Sequence, residues 1–178
     1  MFNQVLTFWF ETLSPQQWWA KNSALDERIR DQFDSLHQQA CQCELYQWRS
    51  CAKGRLAEII VLDQFSRNMY RDTPQSFLND SLALALAQQA IEVGADRQLS
   101  AVERSFIYMP FMHSESLRIH EQACLLFKDN GIDSNYQFEL LHFDIIKKFG
   151  RYPHRNKILH RQSTAEEHQF LSQPNSSF

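Results

Sequence analysis

The stretch Phe149-Gly-Arg-Tyr-Pro-His-Arg-Asn156 packs two guanidiniums, an imidazole and an amide into a short segment. Guanidinium groups bond carboxylates and phosphates through paired N–H donors, so Arg151 and Arg155 read as oxyanion holders. His154 beside them could move a proton near neutral pH, and Asn156 adds a further donor. A second polar run, Asp63-Gln64-Phe-Ser-Arg67-Asn68, sets Asp63 and Arg67 one helical turn apart, where they can pair. A third, Pro110-Phe-Met-His113-Ser114-Glu115, puts His113 at an expected helix break with a carboxylate two residues on. His142 stands alone among Phe138, Leu141, Ile145 and Phe149 at helical spacings and is expected to face the core.

Each of these residues also has a plainer reading. Asp63 and Arg67 could be an internal ion pair, because a buried carboxylate must be paired or protonated. Ser114 and Glu115 could simply cap a helix. A core histidine is commonly a hydrogen-bonded structural group. In the Arg151 stretch, capping and loop pinning explain one or two of the polar groups but not all four.

The elements that must hold these groups are helical. Val5, Leu6, Phe8, Trp9 and Phe10 mark a first helix from about Asn3 to Glu11, and Ser14-Pro15 starts a further turn bearing Trp18 and Trp19. Ser23 to Asp26 resembles a capping box before a helix running to about Cys41. Arg55 to Asn68 is apolar on nearly every face, the mark of a buried helix. Thr73-Pro74 opens a segment that stops at Gly94. Ser100 and Glu103 form a capping box for a helix expected to break near Pro110. Ser114 is expected to cap a helix from Glu115 to Asn130, ending at Gly131. Ser134 or Asn135 starts the next, which ends at Gly150, and Ser163 to Glu166 caps a short last one. The reading is an all-α single domain over 1–171 with roughly seven to nine helices in an irregular helical-hairpin bundle. Residues 172–178 are expected to form a frayed tail.

The totals agree. The chain has 178 residues, 43% of them hydrophobic, with only four Gly and five Pro, enough for one helical core. A net charge of −3 and the lack of any Lys/Arg run argue against nucleic acid. No apolar run is long enough for a membrane span, and the N-terminus lacks a basic leader, so a cytoplasmic protein is expected. Cys41, Cys43, Cys51 and Cys124 lack CxxC spacing and read as reduced thiols.

Four stretches, VLTFWF (5–10), LAEIIVLDQFSRNMYRDTPQSF (56–77), FIYMPFMHSE (106–115) and IIKKFGRYPHRNKILHRQSTAEEHQFL (145–171), together resemble a bacterial family known only as domain of unknown function 924. The resemblance spans nearly the whole chain. It implies a fold similar to tetratricopeptide-like helical hairpins and a shared polar set at Asp63, Gln64, Arg67, Asn68, His113, Ser114, Glu115, Arg151, His154, Arg155 and Asn156. The chain departs from the family pattern at His160, where Gly is expected. The resemblance names no reaction and no cofactor.

Three functions follow as expectations. In the first, Arg67, Arg151 and Arg155 hold a small phosphate or carboxylate. Trp9 and neighbouring Phe side chains form an apolar wall, Asp63, Gln64, Asn68, His142 and Asn156 complete the lining, and His113, His154 and Glu115 supply acid–base chemistry. This requires a concave cavity lined by at least three of Arg67, His113, Glu115, Arg151, His154 and Arg155. In the second, the chain is a scaffold for a protein partner and the polar motifs are struts. In the third, His113, Glu115, His142 or His154 bind a metal, but no HExxH or ExxH pair supports it, so no metal ligand is assigned.

Overall fold

A computed structural model describes residues 1–174 and 176, and every regular element among them is helical. The α-helices are α1 (Phe2–Leu6), α2 (Ser23–Cys41), α3 (Ala52–Ile60), α4 (Ser66–Met69), α5 (Asp80–Glu92), α6 (Ala101–Met112), α7 (Leu117–Asn130), α8 (Asp133–Phe149) and α9 (Ala165–Leu171). A π-helical turn, Val61–Phe65, joins α3 to α4, and another, Thr7–Thr12, extends α1. The all-α expectation therefore holds.

The segment read as apolar all round is the hub. Helix α3, its π turn and α4 pack against α1, α2, α5 and α6. Leu56, Ile59, Ile60, Val61, Leu62, Phe65 and Met69 have no solvent exposure. Truncating such a residue to alanine typically costs about 2–5 kcal/mol. From α5 to α8 each helix packs on the next, α5 on α6, α6 on α7 and α7 on α8. Asn130 at the end of α7 donates to the carbonyl of Ala101 at the start of α6, which makes that pair antiparallel.

Several boundaries shift from their expected places. The N-cap of α2 is Asn22, whose side chain accepts from Leu25, rather than Ser23. Helix α6 runs through Pro110 to Met112. Ser114 does not cap α7; the N-cap position is Ser116, and the Ser114 hydroxyl accepts the Ser116 N–H instead. The last capping box is Thr164 with Glu167, one residue later than read. Gly131 and Gly150 end α7 and α8 in the left-handed conformation, as expected. His160, where the resemblance implies Gly, also takes a positive φ of 54°. Of the tail expected to fray, Ser176 is buried and donates to the Leu171 carbonyl; Asn175, Ser177 and Phe178 lie outside the described residues.

One packing expectation fails. Phe138 and Leu141 do not wall in His142; they are 52% and 51% exposed. The buried stripe of α8 is Glu139, His142, Ile145 and Ile146, so His142 turns inward with Ile145 while Phe138 and Leu141 turn out. The reason is that α8 buries two polar groups that have partners inside, and that choice fixes the helix's rotation.

Candidate functional site

The C-terminus of α6 decides the geometry. The last carbonyls of a helix have no partner within it, and here those of Met112 and the C-cap His113, with that of Ser114 just beyond, are captured by side chains. Tyr152 donates its hydroxyl to Met112 O at 2.5 Å, Arg155 donates Nη2 to His113 O at 3.0 Å, and His120 Nε2 lies 2.8 Å from Ser114 O. Cationic and N–H donors are favoured at this end of a helix dipole. Glu115 follows, clamped by both terminal nitrogens of Arg161 at 2.6 and 2.8 Å and accepting the Tyr152 amide at 2.7 Å. The 149–156 stretch is thus the mate of the 110–115 stretch.

The π turn supplies the other half. Asp63 sits on it, fully buried, with Oδ1 2.8 Å from His113 Nδ1 and 3.0 Å from Arg67 Nη1. Its Oδ2 accepts from Gln64 at 2.6 Å. Burial would raise the Asp63 carboxyl, but Arg67, then His113 and Gln64, outweigh it and hold the group far below the usual carboxylate range. His113 is held below its ordinary value by burial and the nearby Arg67 charge, against the pull of Asp63. An ionised Asp63 fixes the tautomer: Nδ1 carries the proton, and Nε2 of the neutral ring keeps its lone pair. His113 has no other side-chain hydrogen bond among the described residues.

Arg67 and Arg155 meet on one carboxylate. Asp80, in the first turn of α5, lies 3.0 Å from Arg67 and 3.3 Å from Arg155. Arg155 is also held between the rings of Phe77 and Tyr152, at 4.6 and 4.5 Å from their centroids. The two Arg-Asn dipeptides repeat a second device. Asn68 accepts from Arg71, which clamps Asp26; Asn156 accepts from Arg161, which clamps Glu115.

Beside this network lies a cleft of about 320 Å³. Pro74, Phe77, Leu78, Leu84, Pro110 and Leu159 form its apolar part; Asp80, Ser81, His113, Ser114, Glu115 and Arg155 form its polar part. Three of the six residues named beforehand, His113, Glu115 and Arg155, therefore line one cavity, and Arg67 stands directly behind it through Asp63 and Asp80.

The others lie elsewhere. Arg151 pairs bidentately with Glu167 at 2.7 and 2.8 Å and donates to Gln162 O, which ties α9 to the end of α8. Trp9 is fully buried in an aromatic cluster with Trp18, Phe65 and Phe106, so the apolar wall comes from Phe77 and its neighbours instead. Gln64 and Asn68 are buried behind Asp63, and Asn156 braces Arg161 and Ser163. His142 donates Nδ1 to Phe138 O at 2.7 Å, and its ring packs on Tyr152. His154 also packs on Tyr152, and burial together with the Arg155 charge holds it down to about 4. No group of three or more His, Cys, Asp or Glu among the described residues has a metal-holding arrangement, and all four cysteines are free.

Sequence reasoning passed over Asp80, His120, Glu139, Tyr152 and Arg161. Asp80 reads as an ordinary acidic residue in a first helical turn. His120 and Glu139 meet from different helices, and no local spacing marks them.

No helix among the described residues is long and apolar enough to cross a membrane. The profile of a family described as bacterial protein of unknown function, DUF924, matches residues 5–175. A solved structure of a protein of unknown function from Agrobacterium tumefaciens is 37% identical, with a TM-score of 0.91 over 96% of each chain. No curated protein matches the chain.

Proposed function

We propose, on the premise that the chain belongs to the bacterial DUF924 family, that its cleft binds a compact small molecule and that His113 accepts a proton from it. The observation that carries this reading is the Asp63–His113 pair, a buried ionised carboxylate on Nδ1 of a neutral imidazole that lines a cavity. This is the arrangement that leaves the second imidazole nitrogen basic. The lining favours a ligand with an apolar body and one O–H or N–H group directed at His113.

The head group is a proton donor rather than a free phosphate or carboxylate. Arg67 and Arg155 face Asp63 and Asp80, Arg151 faces Glu167, and Arg161 faces Glu115, so each guanidinium already has a carboxylate. An added anion would have to displace one of them.

A thermal-shift screen tests this, because a ligand that binds only the folded chain raises the melting temperature by mass action. The screen sets small alcohols, phenols and amides against phosphate monoesters and organic acids. Stabilisation by the first group that is lost in His113→Phe is expected. Stabilisation by the anions alone would return the reading to an anion pocket.

A protein-interaction reading is favoured by one observation. Leu125 on α7 and Phe138 and Leu141 on α8 are 70%, 52% and 51% exposed, more apolar surface than a hairpin's outer face needs. Sedimentation of the wild type and Phe138→Glu over a concentration series tests whether this face mediates self-association. A monomer throughout counts against a second copy as the partner.

A further inference from the structure

Beneath the cleft, His120 and Glu139 form a pair with no solvent exposure on either side chain. His120 Nδ1 lies 2.7 Å from Glu139 Oε1, and Nε2 lies 2.8 Å from Ser114 O and 3.1 Å from the Tyr152 hydroxyl. The wiring fixes the proton count. Ser114 O can only accept. Tyr152 spends its own proton on Met112 O, so toward His120 its oxygen also accepts. Nε2 must therefore carry a proton. A second proton must lie between Nδ1 and Oε1, either on the imidazole or on the carboxyl, since two lone pairs would repel at 2.7 Å. Among the described residues, the groups facing the pair supply no rescuing cation. They are Cys124 on α7, 3.9 Å from Oε1, His142 on α8, and Tyr152; Glu139 Oε2 is buried without a partner. Burial raises the Glu139 carboxyl against the opposing effect of His120, and pushes the Cys124 thiol up to about 11.

We infer that the His120–Glu139 pair is a proton-dependent latch on the loop 113–116 that lines the cleft. With the shared proton present, both Ser114 O and Glu139 are satisfied. When it leaves, one N–H remains for two acceptors. A carboxylate outbids a carbonyl for it, so the ring takes the Nδ1–H tautomer and the Ser114 carbonyl loses its donor. The loop that presents His113, Ser114 and Glu115 is then released once the shared proton is lost. That this regulates ligand binding rests on the small-molecule reading above; the latch itself does not.

The test needs no ligand and so separates the two. In ¹⁵N–¹H spectra recorded from pH 6 to 10, wild-type protein should show both nitrogens of His120 engaged with protons at pH 6. Their conversion to the single Nδ1–H form should coincide with shifts of the Ser114, Glu115 and Ser116 backbone amides. Glu139→Gln mimics the protonated acid, because its amide N–H can donate to Nδ1 while Nε2–H stays on Ser114 O. In that variant the loop amides should not move over the same range. The latch is overturned by an unprotonated Nε2 at pH 6, by an Nδ1 that neither carries nor accepts a proton at pH 6, by an unchanged pair at pH 10, or by a Glu139→Gln protein whose loop titrates like wild type. If Glu139→Gln does not fold, the wild-type titration decides alone: loop amides that shift without the tautomer change also overturn it.

Discussion

Asp63 Oδ1 receives the Nδ1 proton of His113 at 2.8 Å, across a junction between a π turn in the central helix and the end of α6. The wider turn adds a residue to one helical coil, and such turns recur at functional sites. Here it carries Asp63 and Gln64, and it lies within a helix otherwise surrounded by apolar packing.

Removing the carboxylate should be expensive. In Asp63→Ala the Arg67 guanidinium keeps Asp80 as its one carboxylate partner among the described residues, beside the backbone carbonyl of residue 63, and His113 loses its orienting partner. Breaking a buried pair from one side costs about 3–5 kcal/mol. Urea denaturation should show a loss of that order, and a change under about 1 kcal/mol would mean that the pair is solvated or dispensable.

Acid should destabilise the fold in two stages. His142 and His154 are held from an ordinary 6.5 down to about 3 and about 4, burial being the main cause in both. The unfolded chain therefore takes up protons below 6.5 that the folded chain refuses. Their stabilising share is full above 6.5, falls as pH drops, and is gone below about 3 and about 4, at ~1.4 kcal/mol for each unit of pKa shift. Asp63 acts further down: its contribution is complete above the ordinary carboxylate range and is lost as pH falls towards its depressed folded value. Denaturation midpoints at pH 8, 6.5, 5 and 4 should decline from 6.5 downward, and His142→Gln should flatten that slope. A midpoint independent of pH from 8 to 5 would contradict the buried neutral histidines.

His160→Gly should stabilise the chain. His160 adopts a φ of 54°, where a side chain costs roughly 1–2 kcal/mol that glycine avoids, partly offset by glycine's greater freedom when unfolded. A melting temperature above wild type is the expected outcome; a lower one would show that the imidazole makes a compensating contact.

Gly54→Ala should fail for a different reason. An added Cβ would stand 2.1 Å from the Trp48 carbonyl oxygen, and backbone cannot step aside as a flexible side chain can. Overpacking of this kind costs about 1–3 kcal/mol or more. Equal stability of variant and wild type would mean that the 46–50 turn is free to move away.

Arg151→Ala should leave the cleft alone. Its partner Glu167 belongs to the capping box that starts α9, so the change should loosen the C-terminal segment. Limited proteolysis should cut earlier between 160 and 174, while the response to any ligand found in the screen stays that of wild type. A lost response would return Arg151 to the site.

The helices were legible in the sequence because their signals are local. Apolar residues at helical spacing, the Ser100–Glu103 box and the glycines at 94, 131 and 150 each act within a few residues, and an all-round apolar run with no other like it reads as a buried helix rather than a strand. The family resemblance pointed to the same polar stretches. Tertiary structure alone decided what those stretches do. Arg67 and Arg155 looked like parallel anion holders, yet both converge on Asp80, an acidic residue that nothing in its own helix distinguishes. Arg151 resembled Arg155 but pairs with Glu167, a different carboxylate on a different helix. His120 and Glu139 carried no local sign because their meaning arises from a 2.7 Å contact between two helices. Charge and donor types are written in a chain residue by residue; which charge meets which depends on how the helices rotate and pack, and that is set by the whole core at once.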